Sequence, residues 1–136
     1  MIRYTDSLAG ITADKLRGFF KGWKRPVSPQ EHLKVLAASQ RVLLVIDEEA
    51  GKVVGFVTAI TDELLTAYIP LLEVLPKYRR QGIGTTLMSR MVEGLADLYT
   101  IDLICDAELE PFYQGIGMQH AGPGMIIHNL SPQENS

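Results

Sequence analysis

Apolar positions along the 136-residue chain recur with a period near two in some stretches and near 3.6 in others, and the changes divide it into strands and helices. Ile2 to Thr5 reads as a short first strand. Thr12 can cap a helix through about Phe20, with Leu16, Phe19 and Phe20 facing inward. A loop from Gly22 to Pro29 follows, and Ser28 or Pro29 opens a second helix to about Ser39. Val42 to Asp47 and Lys52 to Ile60 form a hairpin across Glu49-Ala50-Gly51. Asp62-Glu63 marks the next turn, before a strand that ends at Leu75. Ile83, Leu87 and Met91 lie on one helical line with Met88, Val92 and Leu95 beside it. Thr100 to Asp106 is then expected as a strand, Ala107 to Gly115 as a short helix, and Met125 to Leu130 as a last strand. Ser131 to Ser136 reads as a frayed polar tail. No repeat or low-complexity linker interrupts the pattern, so residues 1–136 are expected to form a single domain.

The run Val74-Leu75-Pro76-Lys77-Tyr78-Arg79-Arg80-Gln81-Gly82-Ile83-Gly84-Thr85 lies where a strand gives way to the amphipathic helix. Free backbone N–H groups and the positive end of the helix dipole converge at such a junction, which makes it an anion site with phosphate as its usual occupant. Glycine allows close approach of the backbone, and Arg79 and Arg80 add mobile positive charge. A Walker loop is excluded, because no lysine follows these glycines. A dinucleotide loop would need a third glycine where Leu87 stands. What remains is a pyrophosphate site or a glycine-rich turn that binds nothing.

Composition narrows the class without naming a ligand. Hydrophobic residues at 46% and charged residues at 21% are those of an ordinary globular chain. A net charge of -3 argues against broad nucleic-acid binding. The single cysteine rules out an internal disulfide and a Cys-rich zinc site and fits a reducing, cytoplasmic setting. Neither a signal peptide nor a membrane span is expected from the apolar runs. The three histidines are too scattered in sequence to suggest a metal.

Arg79-x-x-Gly82-x-Gly84 resembles the acyl-CoA-binding motif of the GNAT superfamily of N-acetyltransferases: Arg or Gln, two residues, Gly, one residue, Gly or Ala. A second stretch carries the same resemblance. The family has a strand, an Asn, seven residues to a Tyr, then a Gly followed by a large apolar residue. Tyr113 matches the tyrosine and Gly117-Met118 the closing pair, while Asp106 stands where Asn is commoner. The resemblance covers roughly Val53 to Leu130; the first 50 residues match in layout alone. It implies an α/β fold with a mixed, mostly antiparallel sheet, helices on both faces, and a V-shaped splay between the fourth and fifth strands (61–75 and 100–106).

That resemblance also implies a chemistry. Acetyl-CoA would be the cofactor and CoA the product, with an amine attacking directly in a ternary complex. Pantetheine would add to the splayed edge at Leu72, Glu73 and Val74. The pyrophosphate would rest on Arg80, Gln81, Gly82, Ile83, Gly84 and Thr85, with Arg79 beside it and Asp106 and Tyr113 completing the cofactor contacts. Tyr113 is the candidate acid for the leaving thiol, and Glu73 the candidate base, with Asp102 a weaker substitute. Cys105 reads as a small buried hydrophobe rather than a nucleophile. His32 and His128 read as structural or surface residues, and His120 as a site candidate near the acceptor entrance. The basic loop with Trp23, Lys24 and Arg25 and the acidic group Asp102, Asp106, Glu108 and Glu110 read as solvated surface before acceptor determinants. The partner is an amine acceptor, with no nucleic acid and no membrane, and homodimerisation is left open. The alternative is a module that binds acyl-CoA without turnover, as a sensor or interaction domain.

Overall fold

A computed structural model describes residues 1–129. Five strands, β1 (Ile2–Thr5), β2 (Arg41–Asp47), β3 (Lys52–Thr61), β4 (Thr66–Val74) and β5 (Thr100–Asp102), form one sheet in sequence order. The first three pairings are antiparallel, and β4 to β5 is parallel. Three helices cross it: α1 (Pro29–Ala38), α2 (Ile83–Gly94) and α3 (Glu110–Gln114). This is the mixed α/β architecture expected from the sequence.

Alternation along β3 assigns the two faces. A Cβ added at Gly55 would lie 3.4 Å from side-chain carbons of Ile83 and Leu87, so this face packs on α2. Phe56 points the other way and meets the rings of Phe19 and His32 at centroid distances of 5.2 and 4.4 Å. Leu36 of α1 and Leu16 are buried in the same core. α1 begins with a capping box: Ser28 Oγ accepts from the Glu31 N–H at 3.1 Å, and Glu31 Oε1 accepts from the Ser28 N–H at 3.0 Å. The 62–65 turn is built on Asp62, whose carboxylate accepts from the N–H groups of Leu64, Leu65 and Thr66 at 2.9, 2.8 and 3.1 Å.

Three expected elements differ. The helix proposed from Thr12 to Phe20 is a 3-10 turn, Ala13–Leu16. Thr12 spends its hydroxyl on the Asp14 carboxylate instead of capping, and Gly18 and Phe20 take positive φ values of 102° and 66°. The strand proposed over 100–106 stops at Asp102. The last strand, Met125 to Leu130, has no regular structure over 125–129; Leu130 and the tail 131–136 lie outside the described residues. Met125, Ile126 and Ile127 are all exposed, and a three-residue β5 offers too short an edge to pair with them.

The short β5 has a cause in β4. From Thr58 to Ile60 β3 advances two residues while β4 runs three, Leu71 to Tyr68, so β4 bulges at Ile69-Pro70. Leu75 N–H reaches the Val54 carbonyl at 2.9 Å, so by alternation Val74, Leu72 and residue 70 present their main-chain groups to the β5 side. Pro70 has no N–H to present. Pairing with β5 runs from Thr66 to Tyr68 and ends there, two residues before the proline, leaving the strands splayed.

His32 is a polar residue inside this core, 1% exposed, with no partner for either ring nitrogen among the described residues. Burial lowers its pKa to about 4 from the ordinary 6.5, so it stays neutral in the fold at neutral pH. In that window the unfolded chain binds the proton and the fold does not, so stability is present above pH 6.5 and is lost as pH falls toward 4. The loss should reach the order of 3 kcal/mol. Urea midpoints between pH 7 and pH 4 should fall steeply for the wild type and more shallowly for His32→Phe; equal slopes would place the titrating group elsewhere.

Candidate active site

Two clefts open on the splayed side of β4. The first, about 290 Å³, is lined by Val74, Tyr78, Arg79, Arg80, Gly82, Ile83, Gly84, Thr85 and Phe112. Its floor is the N-terminus of α2. The first helical bond runs from Thr86 N–H to the Gly82 carbonyl at 3.0 Å, which leaves the N–H groups of Gly82 to Thr85 without an intrahelical acceptor. Gly82 caps the helix with φ at 80°, and a Cβ there would meet nothing within 4 Å. The glycine therefore serves a left-handed turn with open space in front of it, where an anion can approach the N–H groups. Tyr78 anchors the loop: its hydroxyl donates to Asp47 at 2.6 Å, which raises the Tyr78 pKa and lowers that of Asp47.

The second cleft, about 270 Å³, fills the gap between the parted strands and is lined by Ile69, Pro70, Leu72, Leu103, Ile104, Cys105, Asp106, Leu109 and Tyr113. Six of its nine lining side chains are apolar, Cys105, Asp106 and Tyr113 being the others, yet the surface it exposes is more polar than apolar. Tyr113 is half-buried on α3 and packs edge-on against Phe112 at 4.9 Å. Burial, then the Cys105 side chain, raise its pKa above 10, so the hydroxyl keeps its proton at neutral pH. Cys105 is held as a thiol by burial and by the charges of Glu110 and Asp106, which disfavours a nucleophilic thiolate.

Glu73 lines neither cleft. Paired in register with Phe56, it projects from the opposite face of β4, toward the loop before α1. Its carboxylate accepts from the Phe20 N–H, which lies 3.1 Å from one oxygen and 3.3 Å from the other. Burial raises its pKa; that N–H and the charge of Arg79 pull the other way without cancelling the rise. Arg79 also donates from Nε to the Val74 carbonyl at 2.8 Å, which ties the phosphate loop to the end of β4.

The residues singled out in sequence thus divide between two faces. Leu72, Asp106 and Tyr113 share the splay cleft, and Val74, Arg79, Arg80, Gly82, Ile83, Gly84 and Thr85 share the cradle. Gln81 is outside both and donates to the Lys77 carbonyl at 3.3 Å. Of the three β4 residues, Leu72 and Val74 turn main-chain groups to the splay; the Glu73 carbonyl faces β3, 3.4 Å from where a Gly55 Cβ would stand. Asp102 closes β5 and is exposed. His120 Nδ1 lies 2.8 Å from Glu110 Oε1 at an exposed position, and His128 is exposed in the segment after it. Arg25 is paired with Glu31 at 3.0 Å. Phe112, Tyr78 and Phe20 have no site role in the sequence reading, where Phe20 counts only as an inward-facing core residue. Phe112 and Tyr78 look like core aromatics, and nothing local marks Phe20.

Comparison with known proteins points the same way. The model of the acetyltransferase (GNAT) family matches residues 9–118. A protein from Deinococcus radiodurans R1 described as a candidate acetyltransferase superposes with a TM-score of 0.89 at 38% identity, covering 94% of this chain and 88% of that one. A GNAT-family acetyltransferase from Streptococcus pneumoniae TIGR4 shares the fold at a TM-score of 0.76 and 23% identity, over 96% of this chain and all of that one (100%). The chloroplastic GCN5-related N-acetyltransferase 3 of Arabidopsis thaliana is 41% identical over 69 residues, 49% of this chain and 29% of its own length. The chain therefore spans under a third of that relative. A split sheet with an N–H cradle at one lip, matched by that family model over most of its length, makes this chain a member of the GNAT acetyltransferase family.

Proposed function

We propose that the chain is an acetyl-CoA-dependent N-acetyltransferase that moves the acetyl group to a primary amine of a small molecule or peptide in a ternary complex. The observation that carries this reading is the division of the site by β4: an anion cradle and a slot along the unpaired strand edge on one side, a desolvated carboxylate on the other. The residues fit the cofactor. The cradle offers N–H groups and two arginines to a pyrophosphate, and the slot offers the main-chain edge of Leu72 and Val74 to an amide chain. Acetyl-CoA supplies an activated thioester carbonyl. The Val74 N–H, on the cleft side by strand alternation, would be the donor that polarises this carbonyl. Glu73 takes the proton that the attacking amine must lose, since a free lysine-type amine has a pKa of about 10.4. Tyr113 would hold the proton that the leaving thiol group of the cofactor needs as the amine displaces it; a thiol's own pKa is about 8.5. The lone cysteine fits a reducing, cytoplasmic setting.

Calorimetric titration of the purified chain should show saturable binding of acetyl-CoA and CoA near micromolar Kd, about -8 kcal/mol. Gly82→Glu should weaken binding at least about 100-fold; the side chain also strains the left-handed turn by about 1–2 kcal/mol, so a thermal melt of the variant checks that the chain is folded. Retained affinity in that variant would remove the cradle from the cofactor site. Tyr113→Phe should lower kcat about 100-fold with KM for acetyl-CoA little changed. A protein that binds acetyl-CoA but acetylates no member of a broad amine panel would be a sensor module instead.

Glu73 gives a prediction about stability. A carboxyl whose folded pKa is raised contributes stability below its unfolded value, near 4.5, and loses it as pH rises through the folded value. Glu73→Gln should therefore match the wild type in thermal midpoint at pH 3 and exceed it at pH 7, while losing acetyl transfer. The acid limb of the wild-type rate profile should lie above pH 4.5. A variant less stable than wild type at pH 7 would show that the charged form is favoured by the fold.

A further inference from the structure

The segment before α1 takes three positive φ values within five residues, beside a core that buries a histidine. Gly18, Phe20 and Gly22 all take positive φ, at 102°, 66° and 84°. Glycine does this freely; a phenylalanine there is strained. Strain of this kind persists only where surroundings over-determine the conformation. At Phe20 they do. Its ring, 7% exposed, stands perpendicular to Trp23 at 5.0 Å, meets His32 edge-on at 4.8 Å and lies 5.9 Å from Phe56. Its carbonyl accepts from the Trp23 N–H at 3.3 Å, closing a tight turn. The one remaining polar group of the residue, its N–H, goes to both oxygens of Glu73, 53 residues away.

We propose that Phe20 is the positioning residue for Glu73: the aromatic cluster locks residue 20 in the left-handed region, and that conformation aims its N–H at the carboxylate. The proposal rests on the reading of Glu73 as the base. Its consequence is mechanical. A lone carboxylate on a strand face can rotate; one held through both oxygens by a fixed N–H keeps one orientation toward an incoming amine. The groups acting on Glu73 from its surroundings are few. Arg79 attracts it from the phosphate loop, the Phe20 N–H donates to it, and the α1 residue in the adjoining cluster, His32, is neutral at working pH. The donor from Phe20 is therefore the contact that a change outside β4 can remove without altering charge. Trp23, half exposed at the far end of the same turn, links this contact to the loop over the acceptor side.

The test needs no acceptor. In the full chain labelled with ¹⁵N-Phe and ¹³C-carboxyl Glu, the Phe20 amide signal should shift with pH along the same curve as the Glu73 carboxyl. Glu73→Gln should abolish the amide shift. Phe20→Tyr, which keeps the ring, should leave the Glu73 inflection in place. Phe20→Gly, which keeps the N–H and tolerates the left-handed region but frees the turn, should move it upward, because a half-buried carboxylate loses its donor. An unmoved inflection would overturn the role of the ring. A downward move would overturn it as well, since it would show residue 20 acting as a cover rather than a donor. Should Phe20→Gly fail to fold, the wild-type amide titration with its Glu73→Gln control decides alone, and an amide that ignores Glu73 overturns the proposal. Acetyl-CoA affinity should stay within about twofold in the folded Phe20 variants, so a failed cofactor titration counts against the enzymatic reading and not against this contact.

Discussion

The functional architecture depends on the loss of pairing between β4 and β5. A buried strand must place its N–H and C=O groups on some partner, and the partner of β4 leaves after Tyr68. The bulge at Ile69-Pro70 and the missing N–H of the proline make that departure cheap, since one donor never has to be satisfied. Beyond it, Leu72 and Val74 turn main-chain groups toward an open slot. The Val74 carbonyl is met by Arg79 at 2.8 Å, but the donors on the same edge face the cleft. The N-terminus of α2 repeats the arrangement, with N–H groups that have no helical acceptor. The cofactor face is thus built mostly from unsatisfied backbone, which explains why so few side chains are needed to define it.

The sheet then separates two kinds of chemistry. On the α2 side, main-chain groups and arginines form the surface that the proposed function assigns to an extended, phosphorylated chain. On the α1 side, a carboxylate is kept partly out of water, where its pKa rises toward a useful value. Adjacent residues of one strand serve the two sides: Leu72 and Val74 face the cleft with their main chain, and Glu73 sends its side chain through to the other face. Strand alternation alone is enough to put the cleft and the proposed base on opposite sides of the same few ångströms of backbone.

What the sequence showed of this follows from how local each signal is. The phosphate loop and α2 were legible because a strand, two glycines and a 3.6-residue period stand in consecutive residues. Ser28, Pro29 and Glu31 announced the start of α1 for the same reason. The 12–20 helix failed because its apolar spacing was right while Gly18 and Phe20 take a backbone no helix contains. β5 was read four residues too long, Thr100–Asp102 against 100–106, because strand length is set by a partner some 30 residues away. Pro70 was visible in the apolar run and could have signalled the end of pairing. The Phe20 to Glu73 contact spans 53 residues and had no local mark at all.

The departures from ordinary folding rules are not spread evenly. A buried histidine without partners, a phenylalanine in the left-handed region and a desolvated glutamate all fall within one aromatic cluster on the α1 face. The cradle face has a single non-glycine residue at positive φ, Arg80, in an exposed loop. Local rules are broken where something other than stability sets the geometry. On the cradle face, glycine and backbone meet the demand without conflict, because a pyrophosphate asks only for N–H groups and positive charge. A base that must act on one particular amine asks for a fixed carboxylate in a dry setting, and each of those conditions works against the fold. On the proposed reading, the strain marks the α1 face as the part of this molecule shaped by its individual substrate, and the cradle face as the part any acyl-CoA chain of this form could use.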